Sequence, residues 1–396
     1  MKIDDKTSHN SPSIRFPEFT GEWKYFSIND VCSEFKSGKN IKADLISSNG
    51  NFPVYGGNGL RGYTSSYNHD GLYVLIGRQG ALCGNVRSVF GKIYITEHAI
   101  AVAGNEKSDT NFLHYLFLKM NLGQYSDQSA QPGLAVNKLL KLKVLLPSIS
   151  EQIKIAKLLS LLDERIAVQN RLIEDLKKLR CAIIENVFCS PNHNESALRF
   201  KGNTDPLSTY RMEDFCSRIT RKNKDNQCSL VLTIAAQYGL VDQESFFNKT
   251  VASENLAGYY LLHKGEFAYN RSYSAGYDWG AVKRLEKYPE GVLSTLYICF
   301  KIDESAVDSD YLAYYFESTK WHKGLSDIAG EGARNHGLLN VSVNDYFNTR
   351  HRFHCMREQK IIASMLNVIS QKENDEIALY DNYQKQKQYL LRKMFI

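Results

Sequence analysis

Residues 151–188 read EQIKIAKLLSLLDERIAVQNRLIEDLKKLRCAIIENVF, and residues 358–395, which lie 207 positions further along the chain, read EQKIIASMLNVISQKENDEIALYDNYQKQKQYLLRKMF. The two stretches align without a gap. The identical pairs include Glu151/Glu358, Gln152/Gln359, Ile155/Ile362, Ala156/Ala363, Leu159/Leu366 and Phe188/Phe395. A repeat of this length indicates a protein with two similar halves.

Both stretches place a row of residues at alternating steps of four and three, which is coiled-coil spacing sustained over about five heptads. The apolar seam positions are Ile155, Leu159, Leu162, Ile166, Ile173, Leu176, Ile183 and Val187 in the first stretch, and Ile362, Leu366, Ile369, Tyr380, Tyr383, Leu390 and Met394 in the second. A helix of this length spans about 57 Å. Because a globular region separates the two helices, we expect them to pack antiparallel about a pseudo-twofold axis. The alternative is an ordinary helix pair inside one domain.

A second, weaker repeat leads into each globular region at a constant offset of 184 positions. The matched residues are Arg15/Arg199, Phe16/Phe200, Thr20/Thr204, Asp30/Asp214, Cys32/Cys216 and Ser33/Ser217. In the first half this segment is predicted to continue into a short helix over residues 27–35. The repeat therefore includes the start of each half as well as the helix that ends it.

Between the lead-in and the helix, each half is predicted to be rich in strands, with one aromatic helix. The expected strands are 71–77 and 92–96 in the first half, and 230–235, 265–269 and 295–302 in the second; the expected helices are 112–117 and 311–316. The polar segment 189–197 is the clearest boundary. We therefore predict an α+β protein with mixed globular domains at 13–148 and 197–353 and long helices at 149–190 and 355–396.

Composition restricts the function only weakly. The chain has 396 residues and a formal net charge of +6, which suits a nucleic-acid partner without requiring one. Eight cysteines without a CxxC pair favour reduced thiols over disulfides or zinc. No run approaches the ~18 apolar residues of a membrane span, and no apolar segment typical of a signal peptide follows Met1. We expect a cytoplasmic protein.

Motifs for catalysis are missing from the sequence. There is no Walker A motif, no GxGxxG after a strand, and no Asn/Asp-Pro-Pro-Tyr/Phe motif of the kind with which amino-methyltransferases hold a flipped base. Glu22-Trp23-Lys24 is similar to a nuclease Glu-x-Lys only superficially, and a structural role is favoured. His351 and His354 would point to opposite faces of a strand, which disfavours a shared metal. The chain is therefore predicted to bind no metal and to catalyse no reaction.

Several glycine-containing loops carry side chains that can hydrogen-bond to base edges or phosphates. Arginine pairs with guanine and glutamine or asparagine with adenine in the major groove, while glycine allows a close approach of the backbone. The candidate contacts are Tyr55, Asn58, Arg61, Tyr63, Arg78, Gln79 and Gln131 in the first half, and Gln237, Tyr238, Arg271, Ser272, Tyr273, Tyr277, Trp279, Lys283, Arg284, Arg334 and Asn335 in the second. For each residue alone, an ordinary turn or solvated side chain is an equally good interpretation.

Nearly the whole chain resembles the specificity subunit of Type I restriction–modification enzymes. The residues that carry the resemblance are Arg15-Phe16-Pro17-Glu18-Phe19-Thr20-Gly21-Glu22-Trp23, Leu146-Pro147 before Glu151-Gln152, and segments 53–78 and 243–300. One departure is that Cys355-Met356-Arg357, and not a Leu-Pro pair, precedes the second helix, which leaves its starting angle open.

The resemblance implies a non-catalytic subunit that recognises double-stranded DNA. Each of two target recognition domains would read one half of a split, asymmetric site, and the helices would set the gap. Two methyltransferase (modification) subunits and the restriction subunits would be its partners. S-adenosylmethionine, ATP and magnesium would belong to those partners and not to this chain. Two alternatives stay open: a self-contained DNA methyltransferase or nuclease, and a coiled-coil scaffold that does not bind DNA.

Overall fold

The structure is a computed structural model that describes residues 10–127, 132–203, 205–249, 255–272, 276–328, 334–335 and 338–396. The chain divides into two compact units. Unit 1 comprises Met1–Arg171 with Ala378–Ile396, and unit 2 comprises Leu172–Ile377. Each unit therefore contains one globular region and a part of each long helix.

Unit 1 is built on a six-stranded sheet with the strand order β2-β7-β5-β6-β3-β4 and a separate pair, β1 with β8. The strands are β1 (Lys24–Ser27), β2 (Cys32–Ser37), β3 (Phe52–Gly56), β4 (Gly59–Thr64), β5 (His69–Gly77), β6 (Val86–Ile95), β7 (Ala99–Gly104) and β8 (Lys143–Leu146). The helices are α1 (Ile28–Val31), α2 (Thr110–Met120), α3 (Val136–Leu140) and the long α4 (Ile149–Val187), whose last part lies in unit 2.

Unit 2 has a four-stranded sheet with the order β10-β17-β14-β15 and four two-stranded pairs, β11 with β12, β13 with β16, β18 with β19, and β9 with β20. The strands are β9 (Ser208–Arg211), β10 (Cys216–Arg218), β11 (Leu232–Ala235), β12 (Gly239–Asp242), β13 (Tyr260–His263), β14 (Phe267–Asn270), β15 (Ala281–Arg284), β16 (Glu290–Leu293), β17 (Ile298–Ile302), β18 (Arg334–Asn335), β19 (Leu338–Leu339) and β20 (Arg350–Phe353). The helices are α5 (Gln243–Phe247), α6 (Ser309–Tyr315), α7 (His322–Ile328), α8 (Val343–Phe347) and the long α9 (Met356–Lys393), which ends in unit 1.

The two units share an arrangement of paired strands, here named the framework, and differ in the strands that are added to it. In unit 1, β1 pairs with β8 and β2 with β7; in unit 2, β9 pairs with β20 and β10 with β17 at equivalent positions. β5 and β6 extend this sheet in unit 1 in the same antiparallel order as β14 and β15 in unit 2. An aromatic helix follows β7 in unit 1, where it is α2, and β17 in unit 2, where it is α6. The strands that differ in pairing are β3 and β4 in unit 1 and β11, β12, β13 and β16 in unit 2. The predicted α+β class with an internal repeat is confirmed.

Equivalent aromatic residues fill the two cores where a long helix ends. In unit 1, Phe395 stacks on Phe112 with ring centroids 5.1 Å apart, and Trp23 packs edge-on against both. In unit 2, the matching Phe188 packs edge-on against Tyr311 and Tyr315. The end of the opposite long helix thus completes each core.

The two long helices run antiparallel within each unit. In unit 1, Asp163 of α4 pairs with Lys387 of α9, and the Arg165 guanidinium lies over the Tyr383 ring. In unit 2, Arg180 pairs with Glu373 at 3.1 Å. The structure places the seam positions on the inner side. Those that are buried are Ile155, Leu159, Leu162, Ile166, Ile173, Val187, Ile362, Leu366 and Met394; those that are half-buried are Leu176, Ile183, Ile369, Tyr380, Tyr383 and Leu390.

The predicted helix over residues 27–35 is wrong beyond its first turn. Ser27 and Asp30 form a reciprocal capping box, so a helix does begin at Ile28. From Cys32 onward the chain instead pairs with β7, and Phe35 is buried on that strand. Sheet pairing over long sequence distance therefore overrides the local helical signal.

The structure shows where the second long helix begins, which the sequence left open. α4 begins at Ile149 and α9 at Met356, which are equivalent positions of the repeat. Gln152 accepts a hydrogen bond from the Asp109 backbone N–H, and Gln359 accepts one from Asp308 in the same way. Both helices are therefore joined to their globular regions alike, with or without a preceding proline.

A repeated ion pair, here named the Arg–Glu clasp, joins each lead-in segment to the start of a long helix. Arg15 donates two hydrogen bonds of 2.7 Å to Glu151, and Arg199 makes the same bidentate contact with Glu358. Both glutamates are fully buried, so each carboxylate depends on its arginine for charge compensation.

Replacing Arg199 by Met is expected to lower the free energy of unfolding of unit 2 by about 3 kcal/mol, because a buried carboxylate then lacks its cation. A denaturant titration of the full chain measures the change. The control is Arg211→Met, since among the described residues the Arg211 side chain forms an ion pair with the exposed Glu213 alone and should contribute less than about 1 kcal/mol. Equal losses in the two variants would contradict the role assigned to the clasp.

No helix among the described residues is long and apolar enough to cross a membrane.

Candidate nucleic-acid interface

Three loops of unit 1 meet at a surface whose centre is made of glycine, here named the glycine floor (Gly56, Gly57, Gly59 and Gly77). The floor joins the β3–β4 hairpin to the turn after β5 and the turn before β7. A Cβ atom added to Gly57 would lie 2.7 Å from the His98 carbonyl oxygen and 3.5 Å from the Gly77 Cα atom. Arg78 also donates its backbone N–H to His98. Only glycine allows the three backbones to approach this closely.

Arginine side chains surround the glycine floor. Arg61 and Arg87 are exposed and Arg78 is half-buried. Within the described part of the chain, no oxygen accepts a hydrogen bond from their guanidinium groups, and no carboxylate pairs with them. Unpaired arginines beside closely packed glycines favour an anionic or hydrogen-bond-accepting ligand such as DNA.

Other predicted contacts of unit 1 lie beside these arginines. Asn58 is exposed at the hairpin tip, and the exposed Gln79 is oriented by a 3.0 Å hydrogen bond with His98. Tyr55 is half-buried against the core cluster of Leu75, Val89, Ile93 and Ile95. Tyr63 is half-buried and pairs through its backbone with Ser47. The Tyr55 ring therefore supports the hairpin from the core side, and the Tyr63 backbone joins the hairpin to Ser47.

In unit 2 the predicted contacts fall into two groups, and the first lines an open cleft of about 840 Å³. Gln237 and Tyr238 lie at the β11–β12 turn, and Tyr238 is 62% exposed. Lys264 and Lys283 line the same cleft and have no carboxylate partner among the described residues. The exposed rings of Phe246 and Phe247 lie next to this turn, with Phe246 6.5 Å from the Tyr238 ring.

The second group makes internal contacts. Arg284 is held by Glu286, Asp310 and the Ser309 hydroxyl. Burial lowers the pKa of Arg284, but hydrogen bonds and charge from Asp310 and Glu286 outweigh it, so the pKa is raised. Arg271 donates to the carbonyls of Val341 and Leu296. Both guanidinium groups are therefore engaged within the fold and join sheet and helix segments of unit 2.

The remaining predicted contacts of unit 2 differ in accessibility. Trp279 packs against the main core and Tyr277 against a smaller one, whereas Ser272 is exposed. Gln131 and Tyr273 lie outside the described residues. For Arg334 and Asn335 only the backbone is described, and it forms strand β18.

The two histidines that could suggest a metal site take part in core hydrogen bonds instead. His351 bonds to the Tyr315 hydroxyl at 3.0 Å and His354 to the Tyr311 hydroxyl at 2.7 Å. Burial lowers the pKa of His351 to about 3 and that of His354 to about 4. Among the described residues, no group of three or more His, Cys, Asp or Glu side chains is placed to hold a metal.

These two surfaces also contain residues that were not predicted from the sequence, namely Arg87, His98, Phe246, Phe247 and Lys264. Arg87 is the second residue of β6, and Lys264 directly follows β13, so neither lies in a loop motif singled out in the sequence. The exposed Phe246 and Phe247 sit on α5, directly after the β11–β12 hairpin, and an aromatic pair in a polar segment was the available signal.

Comparison with known proteins agrees with this architecture. Residues 20–178 match the family described as Type I restriction modification DNA specificity domain. The EcoprrI Type I restriction enzyme specificity subunit of Escherichia coli is 42% identical over 154 residues, which are 38% of each chain. A putative Type I restriction enzyme specificity subunit of Haemophilus influenzae is 27% identical over 144 residues, or 36% of this chain and 37% of that protein. The matched stretch therefore spans little more than a third of these curated relatives.

Solved structures match over nearly the full length. The Type I restriction–modification S subunit of M. genitalium has a TM-score of 0.64 at 15% identity and covers 98% of this chain and 99% of its own. A chain from a structure describing complex assembly and conformational transition of the Type I system has a TM-score of 0.51 at 14% identity, covering 96% and 98%. At these identities the likeness to the solved structures shows the fold alone. The family match covers residues 20–178, which are less than half of the 396 residues.

Proposed function

We propose that this chain is the non-catalytic DNA-recognition subunit of a Type I restriction–modification complex. Each unit reads one half of a bipartite, asymmetric DNA site. The observation that carries the proposal is that the two units share one framework but present different surfaces on it. Unit 1 presents arginines around the glycine floor, and unit 2 presents Tyr238, Lys264 and Lys283 at a cleft. Because the two units present different surfaces on the same framework, they read different half-sites of the DNA.

The gap between the half-sites follows from the two long helices. α4 has 39 residues and α9 has 38, so each is about 57 Å long. That length corresponds to about 17 base pairs at ~3.4 Å per pair, and the reading surfaces enclose a shorter, unread spacer. The lengths of the two helices therefore set the length of the spacer in the DNA site.

Methyltransferase subunits dock on the outer faces of the long helices, one per unit. Leu161 and Val368 are equivalent in the repeat, and both are more than half exposed. Leu172 and Leu379 form a second equivalent, exposed pair. Unit 1 thus carries Leu161 with Leu379, and unit 2 carries Val368 with Leu172. Two like apolar faces suit two copies of one partner. Restriction subunits join that assembly.

Catalysis and its cofactors reside in the partners. S-adenosylmethionine, ATP and magnesium are bound by the methyltransferase and restriction subunits, and this chain supplies the DNA sequence specificity. The lack of sequence motifs for methyl transfer and the internal use of His351 and His354 support this division.

Salt-dependent binding tests the proposal against a scaffold that does not contact DNA. A random duplex pool is enriched on the chain assembled with its methyltransferase subunits, and the selected duplex and a shuffled one are then titrated. Affinity for the selected duplex should fall by about 10³-fold between roughly 50 and 200 mM salt, because phosphate contacts release counterions. Affinity that does not change with salt, or that is the same for both duplexes, would contradict the proposal. Methyl transfer by this chain alone would instead support the enzymatic alternative.

A further inference from the structure

We infer that Arg87 reads a guanine base in the half-site of unit 1 and that Gly59 is required to position it. The inference rests on the proposed function and deepens it. It concerns one side chain on strand β6 and one glycine at the start of β4.

The Arg87 guanidinium lies flat over Gly59. A Cβ atom added to Gly59 would be 2.5 Å from Arg87 Nη1, 2.8 Å from Cζ and 2.9 Å from Nη2. Similar distances to three atoms of one plane place that plane face-on over the glycine. Any side chain at position 59 would occupy the space of the guanidinium, and the φ of +104° also favours glycine there.

The face of the Arg87 guanidinium lies against the Gly59 backbone, which leaves its hydrogen-bonding edge available. The residue is exposed, and no acceptor within the described ranges takes a hydrogen bond from it. Across the hairpin, the Arg61 stem lies against Gly56, with its Cδ atom 2.9 Å from an added Cβ. The exposed Asn58 lies between these two positions in the sequence.

A fixed planar donor suits a base edge better than a phosphate. Guanine presents O6 and N7 as a coplanar pair of acceptors in the major groove, and a guanidinium fork matches that pair. A phosphate can be bound from many directions, so a mobile lysine serves it as well. Stacking on Gly59 restricts the orientation of Arg87, which is the property that base recognition needs.

The test uses the full chain assembled with its methyltransferase subunits. Binding is measured on the cognate duplex and on duplexes with one substituted base pair in the unit 1 half-site. Arg87→Gln should weaken cognate binding roughly tenfold to hundredfold and abolish discrimination at one G·C position, with other positions still read. The dependence of affinity on salt should not change.

A pair of glycine variants separates positioning from backbone strain. Gly59→Ala should reproduce the loss seen in Arg87→Gln at the same base pair. Gly91→Ala is the matched control, since Gly91 lies on β6 with a φ of +102° but has nothing within 4 Å of an added Cβ. It should leave discrimination intact. Thermal unfolding of each variant checks that the fold persists.

Two outcomes would overturn the inference. Uniform weakening on every duplex, with a salt dependence reduced by about one counterion, would make Arg87 a phosphate contact. If Arg87→Gln left binding to every duplex unchanged, Arg87 would not contact the DNA. Failure of the proposed function is distinguishable from both, because the unaltered chain would then discriminate at no position of the duplex.

Discussion

Exchanging residues 197–353 for the corresponding globular region of a Type I specificity subunit is expected to change one half of the recognised DNA sequence and leave the other half as it was. The reason is that the surface of each unit is carried by strands of that unit alone. In unit 2, Tyr238, Lys264 and Lys283 lie on or beside strands that belong to no shared sheet with unit 1. We expect complete replacement of one half-site, which is the largest change in specificity that a single exchange can give.

The exchange must keep the contacts at its two ends. The incoming region needs an arginine at the position of Arg199 to pair with Glu358, and an aromatic residue at Phe353, which packs against Phe215 and Tyr315. A narrower exchange of residues 219–297 serves as the control, since it keeps framework strands β10 and β17. Both exchanges should give the same new half-site. A change in both half-sites would contradict the assignment of one half-site to each unit.

Removing one heptad from each long helix will shorten the unread spacer by about three base pairs, because seven residues of helix span about 10.5 Å. Residues 165–171 and 378–384 are suitable, since Arg165 of the first segment faces Tyr383 of the second within unit 1. The deletion keeps the four-three spacing of both seams. The bases read should be unchanged, whereas affinity should fall because DNA twist reorients the half-sites.

The control for the spacer prediction deletes five residues from each helix at the same places. Because each residue turns the helix by about 100°, this deletion rotates the rest of each seam by about 140°, toward the outer face, and should destabilise the protein instead of resetting the spacer. The sites bound by both variants are read out by sequencing selected duplexes. A seven-residue deletion that binds sites with the original spacer would show that another part of the assembly sets the gap.

The features that sequence analysis predicted well are those encoded by local periodicity or by the repeat. The seam from Ile155 to Val187 follows from its spacing, and the aromatic helices α2 and α6 follow from runs of apolar residues. The equivalence of Phe188 and Phe395 was visible in the alignment, and the structure shows that each ends in the core of a unit.

The features that could not be predicted depend on partners far away in the chain. Arg284 was a candidate DNA contact, but Asp310 and Glu286 hold it, and only the fold brings α6 next to β15. Arg87 lies over Gly59, 28 positions away, and no sequence pattern links the two. The short helix after Ser27 was extended too far because pairing with β7 has no local signal.

The measurement that tests the central claim most directly is base-resolution mapping of methylated sites in cells that express this chain together with its methyltransferase subunits. Two unlike surfaces on one repeated framework predict a split motif of two different half-sites around a spacer of fixed length. A single continuous motif, or a palindrome with identical halves, would contradict the account.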